Sequence, residues 1–313
     1  MFSRPENHDV IVAGGGPAGL SAVLWCAELG LRPILIEQAD EPGGQMLNIY
    51  DPVTYYPGIT CSSGCVLRDS FLESLSKTAY RHEYGSAIIE IDVNEKAVKL
   101  NDGRRFAAAA IIIATGVRRR SLGVEGEDHF YGRGILVSGA RDRKLAAGKR
   151  VAVIGGGDAA AENALMLAEN ADRVFLIHRR DKMSARSEFT EAVQRNSRIE
   201  FLGNRTVAAF NGGERLEQLE IRNLDSNQTE TLAADLAIVR IGVEPNTSVL
   251  SGGVELDDDG YIIVDSECKT SVDGVYAAGD AANPISPTII TAAGMGSTAA
   301  KAIAAWINRG PRI

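Results

Sequence analysis

The residues best suited to chemistry in this chain are glycines. Gly14-Gly15-Gly16-Pro17-Ala18-Gly19 follows the apolar run Val10-Ile11-Val12-Ala13, and Gly155-Gly156-Gly157-Asp158-Ala159-Ala160 follows Val151-Ala152-Val153-Ile154. In this spacing the first glycine (Gly14, Gly155) permits a tight turn. The second (Gly16, Gly157) lets a pyrophosphate approach the backbone N–H groups of a helix N-terminus, and the third position (Gly19, Ala160) keeps helix and strand close. The copies are offset by 141 residues, without a gap into the next apolar run, where Pro33-Ile34-Leu35-Ile36-Glu37 matches Val174-Phe175-Leu176-Ile177-His178. Each copy reads as strand, glycine turn, helix, strand, the unit that binds dinucleotides.

The copies diverge where ligand identity is decided. Glu37 ends the second strand of the first copy, and a carboxylate there accepts hydrogen bonds from the hydroxyls of an unphosphorylated ribose. The second copy has His178 at that position, followed by Arg179 and Arg180. Guanidiniums attract a 2′-phosphate that an acid would repel. The first copy therefore suits the ADP half of FAD, and the second suits NADPH better than NADH.

Further segments are suited to a flavin. Ile111-Ile112-Ile113-Ala114-Thr115-Gly116 is an apolar run ending in small residues, with Thr115 and Gly116 where the chain can pass close to a cofactor. Val275-Tyr276-Ala277-Ala278-Gly279-Asp280 is another, and Asp280 precedes a helix-like run beginning near Thr288 and Ile289. A carboxylate there suits ribityl hydroxyls, and the helix N-terminus suits the electron-rich edge of the ring. Gly43-Gly44-Gln45 follows the first unit closely enough for Gly44 and Gln45 to lie along the isoalloxazine.

The elements that must position these residues follow from the repeat. The fold class is α/β, with two Rossmann-like dinucleotide-binding domains. Residues 1–118 and 243–313 form a discontinuous FAD domain, and residues 119–242 form a nicotinamide domain inserted into it. β-rich stretches are expected over Ile88–Leu100 and Ile199–Ile238, and a hinge at Gly242-Val243-Glu244-Pro245-Asn246. Over 313 residues, 45% hydrophobic and 24% charged composition fits a folded protein rather than a disordered one. The net charge of -8 disfavours a nucleic-acid partner. No apolar run reaches the roughly 20 residues of a membrane helix, and the polar start through Asp9 has no signal-peptide pattern, so a cytoplasmic setting is expected. The cysteines, Cys26, Cys61, Cys65 and Cys268, have no metal-ligand spacing, and no metal site is expected. Cys26 is expected in the core and Cys268 in a β-type run.

These motifs together resemble the thioredoxin reductase-like class of two-dinucleotide flavoproteins. The resemblance runs over essentially the whole chain and includes Pro57-Gly58, Gly132-Arg133-Gly134, His178-Arg179-Arg180-Asp181 and Ala278-Gly279-Asp280 beside the glycine turns. It implies an FAD enzyme reduced by NADPH, usually a homodimer, whose nicotinamide domain rotates about a two-strand hinge.

The chain departs from that class in several places. The class carries a redox CxxC shortly after the Gly-Arg-Gly motif, and the corresponding positions here are Ser138 and Arg141. A hydroxyl can neither attack a flavin as a thiolate nor form a disulfide, so a flavin-to-dithiol relay is not expected. Cys61 and Cys65 form a CxxxC in a turn-rich stretch, read mainly as small residues at a helix start. The class's arginine after the double arginine is replaced by Ser184, with Arg186 nearby as a compensating candidate. Its Arg-Gln pair near the flavin is replaced by Pro287-Thr288.

Electrons must then leave the flavin directly. The main expectation is an FAD-dependent NAD(P)H oxidoreductase with a small molecule or an electron-carrier protein as acceptor. Alternatives are a ferredoxin or flavodoxin–NADP reductase, whose class also lacks the CxxC, a small-molecule oxidase using O2, and a non-catalytic flavin- and NADPH-binding regulator. Ser138 and Arg141 are the candidate substrate contacts, with Arg141 read either as an anion holder or as a surface arginine. Arg118-Arg119-Arg120 and Arg141-Asp142-Arg143-Lys144 are read as carrier docking patches or, more simply, solvated loops. No histidine stands out as a general base; His8 and His82 read as surface residues and His129 as a loop residue.

Overall fold

The structure is a computed structural model that describes residues 8–309; the polar stretch before residue 8 and residues 310–313 lie outside the described residues. Contacts divide the chain into two units. One comprises the described residues up to Arg118 and from Glu244 on, and the other is Arg119–Val243. Val243 thus falls in the second unit rather than with residues 244 onward. Its carbonyl accepts from Arg120 Nε at 3.0 Å.

In the first unit, parallel strands lie in the order Arg81–Glu83, Pro33–Ile36, His8–Ala13, Arg105–Ile113 and Val275–Ala277. Val10 through Ala13 and Pro33 through Ile36 are buried throughout. A strand covered on both faces has no solvent side, which is why these runs show no alternation of apolar and polar residues. The stretch Ile88–Leu100 is an antiparallel hairpin of Ile88–Asp92 and Ala97–Leu100 that pairs with the start of Arg105–Ile113.

The helix Pro17–Glu28 begins with proline in its first turn, where the missing N–H is not needed. It packs against the long C-terminal helix Ile289–Arg309 through small residues. A Cβ on Gly296 would collide with Ala18 O, and Ser21 Oγ donates to Ala293 O at 2.7 Å. Glycine at 296 is what lets the two helix backbones approach.

The second unit repeats the same strand order. Ile199–Leu202, Arg173–Ile177, Arg150–Ile154 and Leu236–Val239 are parallel neighbours in that sequence. The expected β-rich stretch Ile199–Ile238 therefore belongs to two sheets. Its ends join the parallel sheet, while Arg205–Gly212, Leu216–Asn223 and Thr229–Ala233 form a separate antiparallel one. In both units the strand after the crossover lies beside the first strand, and the glycine turn sits at that reversal of strand order, where open α/β sheets bind ligands.

Some local expectations are corrected. Cys268 is not in a strand but closes a turn, with φ +61° and its N–H donating to Asp265 O at 3.0 Å. Burial pushes its thiol up to about 11, and that of Cys26 to about 12. His8 is half-buried at a strand start rather than on the surface, and His129 lies on the short helix Glu127–Phe130 rather than in a loop. No described helix is long and apolar enough to cross a membrane.

Candidate functional site

The first glycine turn is built so that no side chain fits. Gly14 has φ +109°, and a Cβ there would collide with Ala114 O; a Cβ on Gly19 would collide with Gly14 O. The surroundings of Gly16 are open, with Gly44 Cα nearest to a would-be Cβ at 4.0 Å. Gly44, at φ +52°, faces it so closely that a Cβ would come within 2.9 Å of Gly16 Cα. Gly43 N donates to Gly15 O at 2.8 Å, which fixes the Gly43-Gly44-Gln45 loop on the turn. Gln45 Nε2 donates to Val117 O at 3.1 Å.

Glu37 is buried beside this turn. Its Oε2 accepts from Gly15 N at 2.6 Å and its Oε1 from Ala39 N at 2.9 Å, so the carboxylate is fixed at the end of its strand. Thr115 Oγ1 is buried without a hydrogen-bond partner, an arrangement that costs free energy unless something else supplies one.

The C-terminal helix brings the remaining residues to the same end of the sheet. Gly279, at φ +75°, lies between the two helices, because a Cβ there would meet Ala18 Cβ at 2.9 Å and Ala292 Cβ at 3.5 Å. Asp280 follows it, half-buried, with no hydrogen-bond or ion-pair partner among the described residues. Burial raises its pKa. Thr288 precedes the helix, and its Oγ1 accepts from Thr291 N at 3.3 Å; Ile289, the first helical residue, is buried. An open glycine cradle, a fixed carboxylate, an unpartnered hydroxyl and an unpartnered acid in the turn Gly279–Ala281 fit an adenine dinucleotide extended by a flavin.

The second turn has the same construction with different side chains. Gly155 has φ +148° and its Cβ would collide with Arg240 O, while Gly157 is open, with Ser184 Oγ at 4.0 Å. The His178 ring lies where a Cβ on Gly156 would be. Burial, then Arg180 and Arg179, lowers the His178 pKa, and its Nε2 is buried without a partner. Arg179 and Arg180 are exposed, and neither guanidinium has a partner among the described residues. Asp158 and Ala159 open the following helix. Arg186 donates to Asp158 from its backbone N (2.8 Å) and Nε (2.6 Å), and its guanidinium sits 5.0 Å from the Phe189 ring centroid. These residues fit a nicotinamide dinucleotide carrying a 2′-phosphate.

Ser138 and Arg141 share one short helix in the second unit. Ser138 is buried and caps Gly139–Asp142, its Oγ accepting from Arg141 N at 3.4 Å. Arg141 binds Asp142 through Nε at 2.6 Å and Nη2 at 3.0 Å. Burial opposes ionisation of Asp142, but Arg141 and the N–H groups of Ser138 and Val137 outweigh it and lower its pKa. The arginine patch at residues 118–120 is similarly engaged at Arg118. Arg118 pairs with Glu244 at 2.8 Å and reaches Asn246 Oδ1 at 3.0 Å, so it is not an open docking charge.

Cys61 ends the strand Ile59–Cys61 and donates to Ser63 O at 3.4 Å; Cys65 lies in the first turn of the helix Gly64–Leu75. The described residues contain no cluster of three or more His, Cys, Asp or Glu able to hold a metal.

Two contacts escaped the sequence reading. Asn246, read there only as part of the hinge, donates from Nδ2 to Thr115 O at 2.8 Å and from its backbone N to Gly116 O at 2.9 Å, clamping the segment after the strand Arg105–Ile113. The other is made by Arg240, a cation directly after the apolar strand Leu236–Val239; that abrupt charge was its only signal.

The sequence profile described as pyridine nucleotide-disulphide oxidoreductase matches residues 8–296. A thioredoxin reductase of Listeria innocua is 33% identical over 301 residues, covering 96% of this chain and 93% of that one. A thioredoxin reductase of Treponema pallidum is 35% identical over 309 residues, covering 96% and 98%. Among solved structures, Lactococcus lactis thioredoxin reductase superposes with a TM-score of 0.83 at 28% identity, covering 97% of this chain and 100% of that one. The chain belongs to the pyridine nucleotide-disulphide oxidoreductase family, in its thioredoxin reductase-like class of oxidoreductases that use FAD and NADPH.

Proposed function

We propose that this chain takes hydride from NADPH onto FAD and delivers the electrons directly to a small-molecule or carrier acceptor, with no protein dithiol between. The observation that carries this reading is the short helix Gly139–Asp142 with its cap Ser138. At the positions where the class resemblance puts the redox cysteines, one side chain is a buried helix cap and the other is paired with its neighbour. No two of Cys26, Cys61, Cys65 and Cys268 are spaced as CxxC.

Bound FAD would supply the two-electron centre between nucleotide and acceptor. The chain's own residues hold the partners. Gly14, Gly16, Pro17, Ala18 and Gly19 form the cradle for the flavin nucleotide's pyrophosphate, and Glu37 takes the ribose hydroxyls. Gly44 and Gln45 lie across the cradle, with Thr115 and Gly116 at the adjoining strand end. Gly279, Asp280, Thr288 and Ile289 face the ribityl and ring edge. In the second unit, Gly155, Gly157, Asp158 and Ala159 take the pyrophosphate of NADPH. His178, Arg179 and Arg180 take its 2′-phosphate, and Arg186 acts through Asp158. The class resemblance supports a cytoplasmic homodimer.

An anaerobic titration of the purified protein with NADPH, and separately with NADH, tests this. NADPH is expected to bleach the flavin, and a quinone or ferricyanide to restore it, while disulfide substrates leave it reduced. Bound FAD that neither nucleotide bleaches would overturn the reductase reading. Steady turnover of a disulfide would overturn the direct transfer.

A further inference from the structure

The two units place different residues at one equivalent position. In the first, Ala114 follows the strand beside the glycine turn: its N donates to Ala13 O at 2.8 Å and its O faces Gly14. In the second, Arg240 does the same, its N donating to Ile154 O at 2.7 Å and its O facing Gly155. The backbone role is identical, so the arginine side chain is an addition that the turn itself does not require.

That side chain is half-buried and folds back along the sheet's C-terminal end. Nη1 donates to Val239 O at 2.8 Å and Nη2 to Val137 O at 3.3 Å. Arg119 Nη1 donates to the same Val137 carbonyl. Two cations thus converge on one neutral acceptor. No carboxylate among the described residues pairs with Arg240, and burial, then Arg119, pulls its pKa down to about 10. A half-buried guanidinium without a paired carboxylate is costly unless an anion shares its site. A guanidinium has five N–H donors in a planar fork, and the carbonyls engage only part of that capacity.

We propose that Arg240, with Arg119 beside it, binds the oxyanion of a small molecule, a carboxylate or a phosphate, at the C-terminal end of the second unit's parallel sheet. The planar fork matches such a group in bidentate fashion. The anion has two possible sources: a phosphate of the nucleotide held at the adjacent Gly155 turn, or a separate acidic substrate. The site does not depend on the redox reading above.

The test uses the full chain and inorganic phosphate at constant ionic strength, read by thermal denaturation. Arg179→Gln and Arg180→Gln are introduced first, so that the 2′-phosphate site does not contribute. In that background phosphate is expected to raise Tm saturably, and adding Arg240→Gln, which keeps a donor for Val137 O, is expected to weaken phosphate at least about tenfold. If Arg240→Gln fails to fold, Arg240→Lys serves instead; it keeps the charge, loses the fork, and is expected to weaken phosphate less. A phosphate response that is absent, or unchanged by either variant, overturns the proposal. Repeating the titration with NADP+ added at saturation separates the sources. A response that persists assigns the site to a separate acidic molecule, and one that disappears assigns it to the nucleotide's own phosphate.

Discussion

Glu37 Oε2 accepts a 2.6 Å hydrogen bond from Gly15 N, and 141 residues later the His178 ring packs on Gly156, the equivalent glycine. One backbone site thus receives an acid in one unit and an imidazole in the other. The strand-end side chain closes over the middle glycine in both cases, and the proposed choice of ribose at each turn rests on that difference in chemistry.

The Glu37 contacts are charge-assisted and buried, worth about 1.5–3 kcal/mol each. Glu37→Ala leaves the N–H groups of Gly15 and Ala39 without their acceptors and removes the ribose ligand. Flavin retention is expected to fall by more than about tenfold, and Tm with it. Glu37→Gln keeps one acceptor and is expected to lose less of both. Flavin fluorescence during gel filtration and thermal melts check this; an Ala variant that retains FAD like the parent would remove Glu37 from the site.

The proposed selectivity of the second unit rests on Arg179 and Arg180, whose guanidiniums have no competing partner among the described residues. Replacing both with Gln is expected to weaken NADPH by about a hundredfold or more while leaving NADH unchanged, since each charged contact is worth about 1.5–3 kcal/mol. Stopped-flow flavin reduction with the two nucleotides measures the ratio. An equal loss for both would place these arginines outside the 2′-phosphate contact.

His178 adds a pH dependence to that preference. Its pKa is lowered from 6.5 by burial and the two arginines. The folded, nucleotide-free protein therefore resists protonation that the unfolded chain accepts, so its stability falls as pH drops below about 6.5. A bound 2′-phosphate offsets the arginine charges and favours the imidazolium. NADPH affinity relative to NADH is then expected to rise between pH 8 and pH 6, and His178→Gln is expected to flatten that slope. Calorimetric titrations in buffers of different ionisation enthalpy would detect the proton uptake.

What could be read from the sequence were the demands that backbone geometry places on residue type. Gly14, Gly44 and Gly155 stand at positive φ beside backbone atoms that exclude a Cβ, so glycine there is legible without knowing the fold. Glu37 and His178 were legible because their distance from the turn is set by one helix and one strand. Asn246 was not, since its partner Thr115 is 131 residues away. Arg118 read as part of a basic patch because its partners Glu244 and Asn246 lie on the other crossing between the units. Arg141 is the opposite case. Its partner is the adjacent Asp142, and only the direction of the side chain decides that the charge is neutralised locally.

Asp280 is a functional acid if its charge is a burden to the empty protein. Burial raises its pKa from 3.8, so the stability linked to its protonated form is present in acid and lost as pH rises through the folded value. At neutral pH the ionised group destabilises the flavin-free fold. Asp280→Asn is expected to leave the apoprotein's Tm unchanged or raise it at pH 7, and to weaken FAD by about tenfold through loss of a charged acceptor. A residue with a structural role would instead lower the apoprotein's Tm.

Cys61 and Cys65 provide the sharpest check on direct electron transfer. Cys61 donates to Ser63 O and Cys65 occupies the first turn of the next helix, positions that small polar residues fill equally well. Changing both to Ser is expected to leave the rate of flavin reduction by NADPH and of reoxidation by a quinone within about twofold of the parent, since Ser is nearly isosteric with Cys at these half-buried positions. Thiol titration of the NADPH-reduced parent is expected to find no newly formed dithiol. A variant in which the flavin is still bleached but no longer reoxidised would make this pair the missing relay, and would return the chain to dithiol chemistry by another route.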